Sequence, residues 1–184
     1  MHEAFVPADC TDCWAADNPP GTGIGWRFDW IVPAASDAPM AVAALPEAAE
    51  RAARAPSAAP TPPTRRLGPG QRIGVASGPA WKGYFGVQIS LQAPARQPWP
   101  AGATAWVALV EEVPAGSDGS PVARSLVRAV AGPLPMANPT TGQPMRHLRA
   151  MRWPDEAQPT RLRARGWVEA ADGRILAMAA DRCP

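Results

Sequence analysis

Three cysteines, two histidines and a scatter of carboxylates are the residues of this chain with chemistry to offer. Two of the cysteines stand in a C-x-x-C spacing inside the opening run Glu3-Ala4-Phe5-Val6-Pro7-Ala8-Asp9-Cys10-Thr11-Asp12-Cys13-Trp14-Ala15-Ala16-Asp17. At a strand-to-helix junction such a pair carries out thiol–disulfide exchange. The first sulfur sits at a helix N-terminus, where free N–H groups and the dipole stabilise its thiolate, and the second resolves the mixed disulfide. Asp9 and Asp12 work against this by placing negative charge beside both sulfurs. Pro19-Pro20 holds the following helix to about two turns, so its dipole is small. The other reading is a non-catalytic disulfide, either within the pair or from one of the two cysteines to Cys183; the odd number leaves one thiol over.

The same sulfurs define a metal-handling alternative. His2, Cys10, Cys13 and His147 make a Cys2His2 set, and thiolates with imidazoles suit zinc or copper. No second C-x-x-C and no H-x3-H spacing supports it. His147 reads equally as a strand residue near Arg146 and Arg149, and His2 as a terminal residue. Met136, Met145 and Met151 read as core filler. Hydrolase signatures of the G-x-S-x-G and H-E-x-x-H kinds are missing, and Glu111 and Glu112 point to opposite faces of a strand. No glycine pattern follows a strand and opens a helix, so no dinucleotide is implied, and the reading calls for no cofactor.

Two surface readings remain. Arg146, Arg149, Arg152, Arg161, Arg163 and Arg165 make the late strands basic, which reads either as a grip, with Trp153 and Trp167 nearby, on single-stranded nucleic acid or an anionic glycan, or, as the favoured reading, as a solvated outer face that discourages edge pairing. Trp81, Tyr84, Trp99 and Trp106 could line a carbohydrate or peptide groove, or close the ends of a core. The net charge of +2 over 184 residues provides no global field to recruit nucleic acid or an anionic membrane, and a nucleic-acid partner is not expected. A protein partner stays open, as does the oligomeric state.

The elements that must position these groups fall into two parts. With 24 prolines and 16 glycines the chain is loop-rich but short of a disordered composition. Trp26 to Val32 reads as a strand ended by Pro33, and Ser36-Asp37 as a turn. Pro46 opens a helix through Arg54, with Glu47–Arg51 and Glu50–Arg54 pairs at i,i+4. Residues 55–70, APSAAPTPPTRRLGPG, read as a Pro-rich linker. Beyond it seven strands are expected at Arg72–Ser77, Tyr84–Gln92, Thr104–Glu112, Ala123–Gly132, Met145–Trp153, Arg161–Ala170 and Arg174–Asp181. Phe85, Val87, Ile89 and Leu91 share one face, as do Leu162, Ala164 and Val168, which marks half-buried antiparallel strands. Asp172-Gly173 predicts a hairpin between the last two. The expected fold is therefore mainly β: a seven-stranded antiparallel β-sandwich over 71–184, preceded by a small α/β segment over 1–54. No apolar run reaches the length needed to span a bilayer.

The opening resembles that of a secreted bacterial thioredoxin-like family of unknown function, whose members begin E-L-[FY]-T-S-x-G-C-x-x-C-P-P-A-D. Glu3-Ala4-Phe5-Val6, Cys10-Thr11-Asp12-Cys13 and Ala16-Asp17 carry the likeness, with shorter matches at Phe28-Asp29-Trp30, Ala105 to Glu111 and Gly173 to Ala179. Trp14-Ala15 replaces the family's two prolines, and Thr61-Pro62, the only candidate for a cis-proline loop, is followed by Pro63-Thr64-Arg65-Arg66 rather than a strand. The resemblance implies a shortened thioredoxin-like α/β segment. It also implies a secreted or periplasmic accessory protein whose leader has been removed, in an oxidising compartment. Cys10 is then the more exposed sulfur, Cys13 its partner, Trp14 their shield, and Asp17 a further site residue. If there is catalysis, it is that of a thiol–disulfide oxidoreductase. The rival is a non-enzymatic envelope or binding module in which the cysteines form a structural disulfide.

Overall fold

The computed structural model describes residues 1–17, 26–54, 68, 70–136 and 144–181. Most of the 55–70 linker, and Cys183, lie outside the described residues. Nine strands and two short helices follow one another: β1 (His2–Pro7), α1 (Thr11–Ala15), β2 (Arg27–Val32), α2 (Pro46–Arg54), β3 (Arg72–Ser77), β4 (Tyr84–Gln92), β5 (Thr104–Val113), β6 (Arg124–Leu134), β7 (Met145–Arg152), β8 (Leu162–Glu169) and β9 (Ile175–Ala180). The protein is mainly β, and every strand read from the sequence is present within a residue or two of its expected ends, as is the helix from Pro46 to Arg54.

How the strands associate differs from expectation. The seven late strands do not form one antiparallel sandwich apart from the N-terminal segment. β5, β6, β8 and β9 join β1 and β2 in a six-stranded sheet of order β1-β2-β6-β5-β8-β9, and β3, β4 and β7 form a separate three-stranded sheet. The six-stranded sheet is mixed: β1 runs parallel to β2 from His2↔Arg27 to Pro7↔Val32, and β2 runs parallel to β6 through Asp29↔Leu126, whereas β8 and β9 are antiparallel. The physical reason lies in β2. Its Phe28, Asp29, Trp30 and Ile31 are all buried, the pattern of an interior strand, and a two-stranded pair left to itself would expose them.

The chain divides into two compact units that are not consecutive in sequence: residues 1–62, 110–129 and 154–162 in the first, and 63–109, 130–153 and 163–184 in the second. In the first, Val6, Ala8, Trp14, Ile31, Val113 and Leu126 form one apolar cluster, against which Ala38, Met40, Ala43 and Ala44 pack. Helix α2 turns Ala48 and Arg51 inward. Arg51 makes a two-pronged ion pair with Glu3 (Nε–Oε1 2.7 Å, Nη2–Oε2 3.0 Å) and lies 5.6 Å from the centre of the Trp30 ring, which ties the helix to β1 and β2.

In the second unit the inner face of β4 is Phe85, Val87, Ile89 and Leu91, all buried, as the alternation predicts. The rings of Trp106 on β5 and Trp167 on β8 stack 6.1 Å apart at 5°. The backbone meets these residues at two glycines. A Cβ on Gly132 would fall 2.3 Å from the Trp106 ring, and one on Gly166 would fall 2.8 Å from Val75 Cγ2. The Asp172–Gly173 hairpin forms as expected, with Gly173 at φ +81°.

Candidate thiol–disulfide site

β1 ends at Pro7, and the chain turns through Ala8 and Asp9 before α1 begins. Cys10 is the N-cap of α1, and its Sγ accepts the backbone N–H of Cys13 at 3.2 Å, taking the place that a serine or aspartate oxygen takes at an ordinary N-cap. Cys10 and Cys13 are joined as a disulfide, with Cα atoms 5.2 Å apart. Cys13 is exposed and Cys10 half-buried, the reverse of the order expected from the sequence. The reversal follows from the helix: the N-cap position faces the turn that closes β1, whereas the third helical residue faces outward. Asp9 and Asp12 are both exposed.

Trp14 follows Cys13 in α1. It is buried in the apolar cluster of the first unit, and its indole Nε1 donates to the carbonyl oxygen of Asp118 at 2.8 Å. Asp118 and Gly119 form a two-residue turn, at φ +50° and +72°, closed by the Ser117–Ser120 bridge. The turn's side chain is used as well: Asp118 Oδ2 accepts from Arg161 at 2.9 Å.

Arg124, the first residue of β6, completes the seat of α1. Its side chain is wholly buried, and its guanidinium lies 5.0 Å from the centre of the Trp14 ring. Nη2 donates to the carbonyl oxygens of Trp14 and Ala16 at 2.8 Å each, Nε to Ser120 Oγ at 3.0 Å, and Nη1 reaches Asp29 Oδ1 at 3.4 Å. A cation thus caps the C-terminal carbonyls of a helix too short to hold itself together. Asp29 is buried with it and is held by Arg27 at 2.8 Å and by the backbone N–H of Ser125 at 3.0 Å.

Sequence reasoning missed Arg124, Asp29 and Asp118. One signal was available for Arg124: it shares the phase of Leu126 on its strand, so a period-two reading places its side chain on the core face. Of the other residues singled out in the sequence, Asp17 is exposed just past the end of α1. His2 opens β1. His147 lies in β7 of the second unit, where its Nε2 is 3.1 Å from the Pro135 carbonyl oxygen. Among the described residues no group of three or more His, Cys, Asp or Glu side chains is placed to hold a metal ion.

No protein-family model matches the chain, and neither the curated proteins nor the solved structures include one with significant similarity to it.

Proposed function

We propose that the protein is a thiol–disulfide accessory protein of an oxidising compartment, secreted or periplasmic, with Cys10 and Cys13 as its exchanging pair. Residues 1–54 are read as a shortened thioredoxin-like segment. The observation that carries the proposal is the asymmetry of the pair: Cys13 is exposed, and Cys10 Sγ accepts a backbone N–H at the N-cap. An incoming thiolate attacks the Cys13 sulfur, the Cys10–Cys13 bond breaks, and Cys10 leaves as a thiolate stabilised by the N–H of Cys13. A second thiol of the partner then attacks the partner's own sulfur in the mixed disulfide, forming the partner's disulfide and releasing Cys13 as a thiolate, so that the Cys10–Cys13 pair ends reduced; attack by Cys10 on the Cys13 sulfur instead reverses the first step. The parallel β1–α1–β2 arrangement, with the pair at the carboxyl end of β1, supports the thioredoxin-like reading.

A magnitude weighs against the structural alternative. In the loop-entropy model a disulfide closing a four-residue loop stabilises by about 2 kcal/mol, against about 3 kcal/mol for a fifteen-residue loop. Helix α1 is already fixed by Trp14 and Arg124, so a staple there adds little. The test is trapping. Cys10→Ser leaves Cys13 free, and its thiolate should attack oxidised glutathione, forming a mixed disulfide and releasing one glutathione thiolate, at least tenfold faster than the Cys10 thiolate of Cys13→Ser does. Equal and slow rates for both, with a wild-type bond that glutathione does not open, would leave the pair as a structural disulfide.

A further inference from the structure

The outward face of the three-stranded sheet carries a second set of features unconnected with the cysteines. The chain has no acidic residue between Glu50 and Glu111, and none between Asp118 and Asp155. Strands β3, β4 and β7 fall in these stretches, so their sheet holds arginines and no carboxylate. Across the second unit's segments basic residues outnumber acidic ones twelve to three. In the first unit's segments acidic residues lead thirteen to six, and the chain's net charge of +2 conceals this division.

The register sets out the face in rows. Trp81 and Tyr84 exchange both backbone hydrogen bonds at 2.9 Å across a Lys82–Gly83 turn whose two residues have φ +47° and +80°. Directly opposed residues point the same way, and Tyr84 is in turn opposite Arg152, so Trp81, Tyr84 and Arg152 form one row, with the Lys82 ammonium 5.9 Å from the Trp81 ring centre. The next row is Gly86 opposite Ala150, then Gln88 opposite Leu148, then Ser90 opposite Arg146, and Arg72 ends β3 beyond it. Three of the four large apolar side chains that are exposed among the described residues lie on this face: Trp81 at 70%, Leu148 at 68% and Tyr84 at 50%. Arg72, Arg146 and Arg152 form no ion pair with a described residue.

We propose that this face binds an acidic polysaccharide, lying along the strands with its sugar rings against Trp81 and Tyr84. The aromatic pair stands at one end of a floor that Gly86 and Ala150 keep nearly free of side chains, and a Cβ on Gly86 would meet nothing within 4 Å. A pyranose presents a flat C–H face that packs on indole and phenol rings, and its hydroxyls bond to amides and hydroxyls such as Gln88 and Ser90. Guanidinium groups bind carboxylates bidentately. The cations stand at the two ends of the face. Arg146 and Arg152 are six residues apart on β7, about 20 Å along an extended strand. The rows between them are neutral. That spacing fits a polymer whose charges are sparse and whose intervening units offer hydroxyls. A single-stranded nucleic acid, with a phosphate on every residue, would set several charges against Gly86, Gln88 and Leu148. A lipid surface would find its apolar contacts divided by a recessed floor.

The test uses the full chain, titrated calorimetrically with hyaluronan, unsulfated chondroitin and gellan oligomers, whose uronic acids recur only at every second or fourth sugar. Neutral cello-oligosaccharide, oligo-dT and phosphatidylglycerol vesicles serve as comparisons. Gly86→Val fills the floor with a residue suited to a strand, and thermal unfolding verifies that it stays folded. Binding to at least one uronic-acid oligomer should weaken at least tenfold in Gly86→Val and in Trp81→Ala, and Arg146→Glu should flatten its salt dependence. Reduction of the disulfide should leave it unchanged, which separates this proposal from the exchange chemistry. The proposal is overturned if none of the three oligomers binds more tightly than the neutral one. It is overturned equally if oligo-dT or the vesicles bind more tightly than all three, or if Gly86→Val and Trp81→Ala bind as wild type does.

Discussion

The guanidinium of Arg124 lies over the ring of Trp14 and also donates a hydrogen bond to the carbonyl oxygen of that same residue at 2.8 Å. One side chain from the start of β6 therefore holds both the side chain and the backbone of the helix that carries the cysteines. The arrangement is buried throughout: both Arg124 and Asp29 have wholly covered side chains. Removing Arg124 leaves the carbonyl oxygens of Trp14 and Ala16 without their donor, at about 1–3 kcal/mol for each buried group left unsatisfied, while Asp29 keeps Arg27 and the Ser125 N–H. Arg124→Ala should lower the urea unfolding midpoint accordingly. Arg124→Lys should recover only a minor part, because one ammonium cannot reach two carbonyls, Ser120 and Asp29 from a single plane. A midpoint within error of wild type for Arg124→Ala would show that the network does not hold the helix.

Trp14 has a polar tie that can be cut alone. Trp14→Phe keeps an aromatic ring in the cluster with Val6, Ile31 and Leu126 but leaves the Asp118 carbonyl without the indole N–H. The expected loss is about 0.5–1.5 kcal/mol for the hydrogen bond. Trp14→Ala, which also empties the site, should cost about 3–5 kcal/mol. Chemical denaturation of the two variants side by side separates the bond from the packing; a Trp14→Phe variant as stable as wild type would mean that the bond contributes nothing.

What the sequence made legible was local. Alternation along Phe85, Val87, Ile89 and Leu91 gave the buried face of β4, Pro46 marked the start of α2, and Asp172-Gly173 gave a hairpin, because each depends on residues a few positions apart. Which strands would be neighbours was not legible. The period of two says which face a residue occupies and is silent about partners, so the parallel contact of Asp29 with Leu126 left no trace in either segment. The candidate site was half legible for the same reason. Cys10 and Cys13 stand together in the chain, but Asp118 and Arg124 reach the helix from 104 and 110 positions away. The helix pairing of Arg51 was foreseen with Glu47, whereas its two-pronged partner in the fold is Glu3.

Reducing the disulfide should change stability little. The four-residue loop gives about 2 kcal/mol at most by chain entropy, and α1 keeps its contacts to Arg124 and Asp118 in either state. Urea unfolding with and without dithiothreitol measures the difference. A loss above about 4 kcal/mol, near the top of the range for disulfides, would identify the bond as a principal support of the fold.

Two glycines of the second unit should resist substitution while a third accepts it. Gly132→Ala drives a Cβ to 2.3 Å from the Trp106 ring, and Gly166→Ala to 2.8 Å from Val75 and 3.0 Å from Ile89. Overpacking of this kind costs about 1–3 kcal/mol. At Gly86, where nothing lies within 4 Å, alanine should be neutral or slightly stabilising. Thermal unfolding of the three variants gives the order directly, and a destabilised Gly86→Ala alongside a neutral Gly132→Ala would contradict it.

The division of the first unit into three separated stretches bears on how the protein is made. Its cysteines are synthesised before the arginine that seats their helix, which comes more than a hundred residues later, and the unit's last stretch ends at Leu162. A growing chain therefore presents Cys10 and Cys13 on an unfinished unit until Leu162 has emerged. Oxidation of the pair and completion of its surroundings are consequently separate events in the life of each molecule, in that order wherever an oxidant meets the emerging N-terminus first.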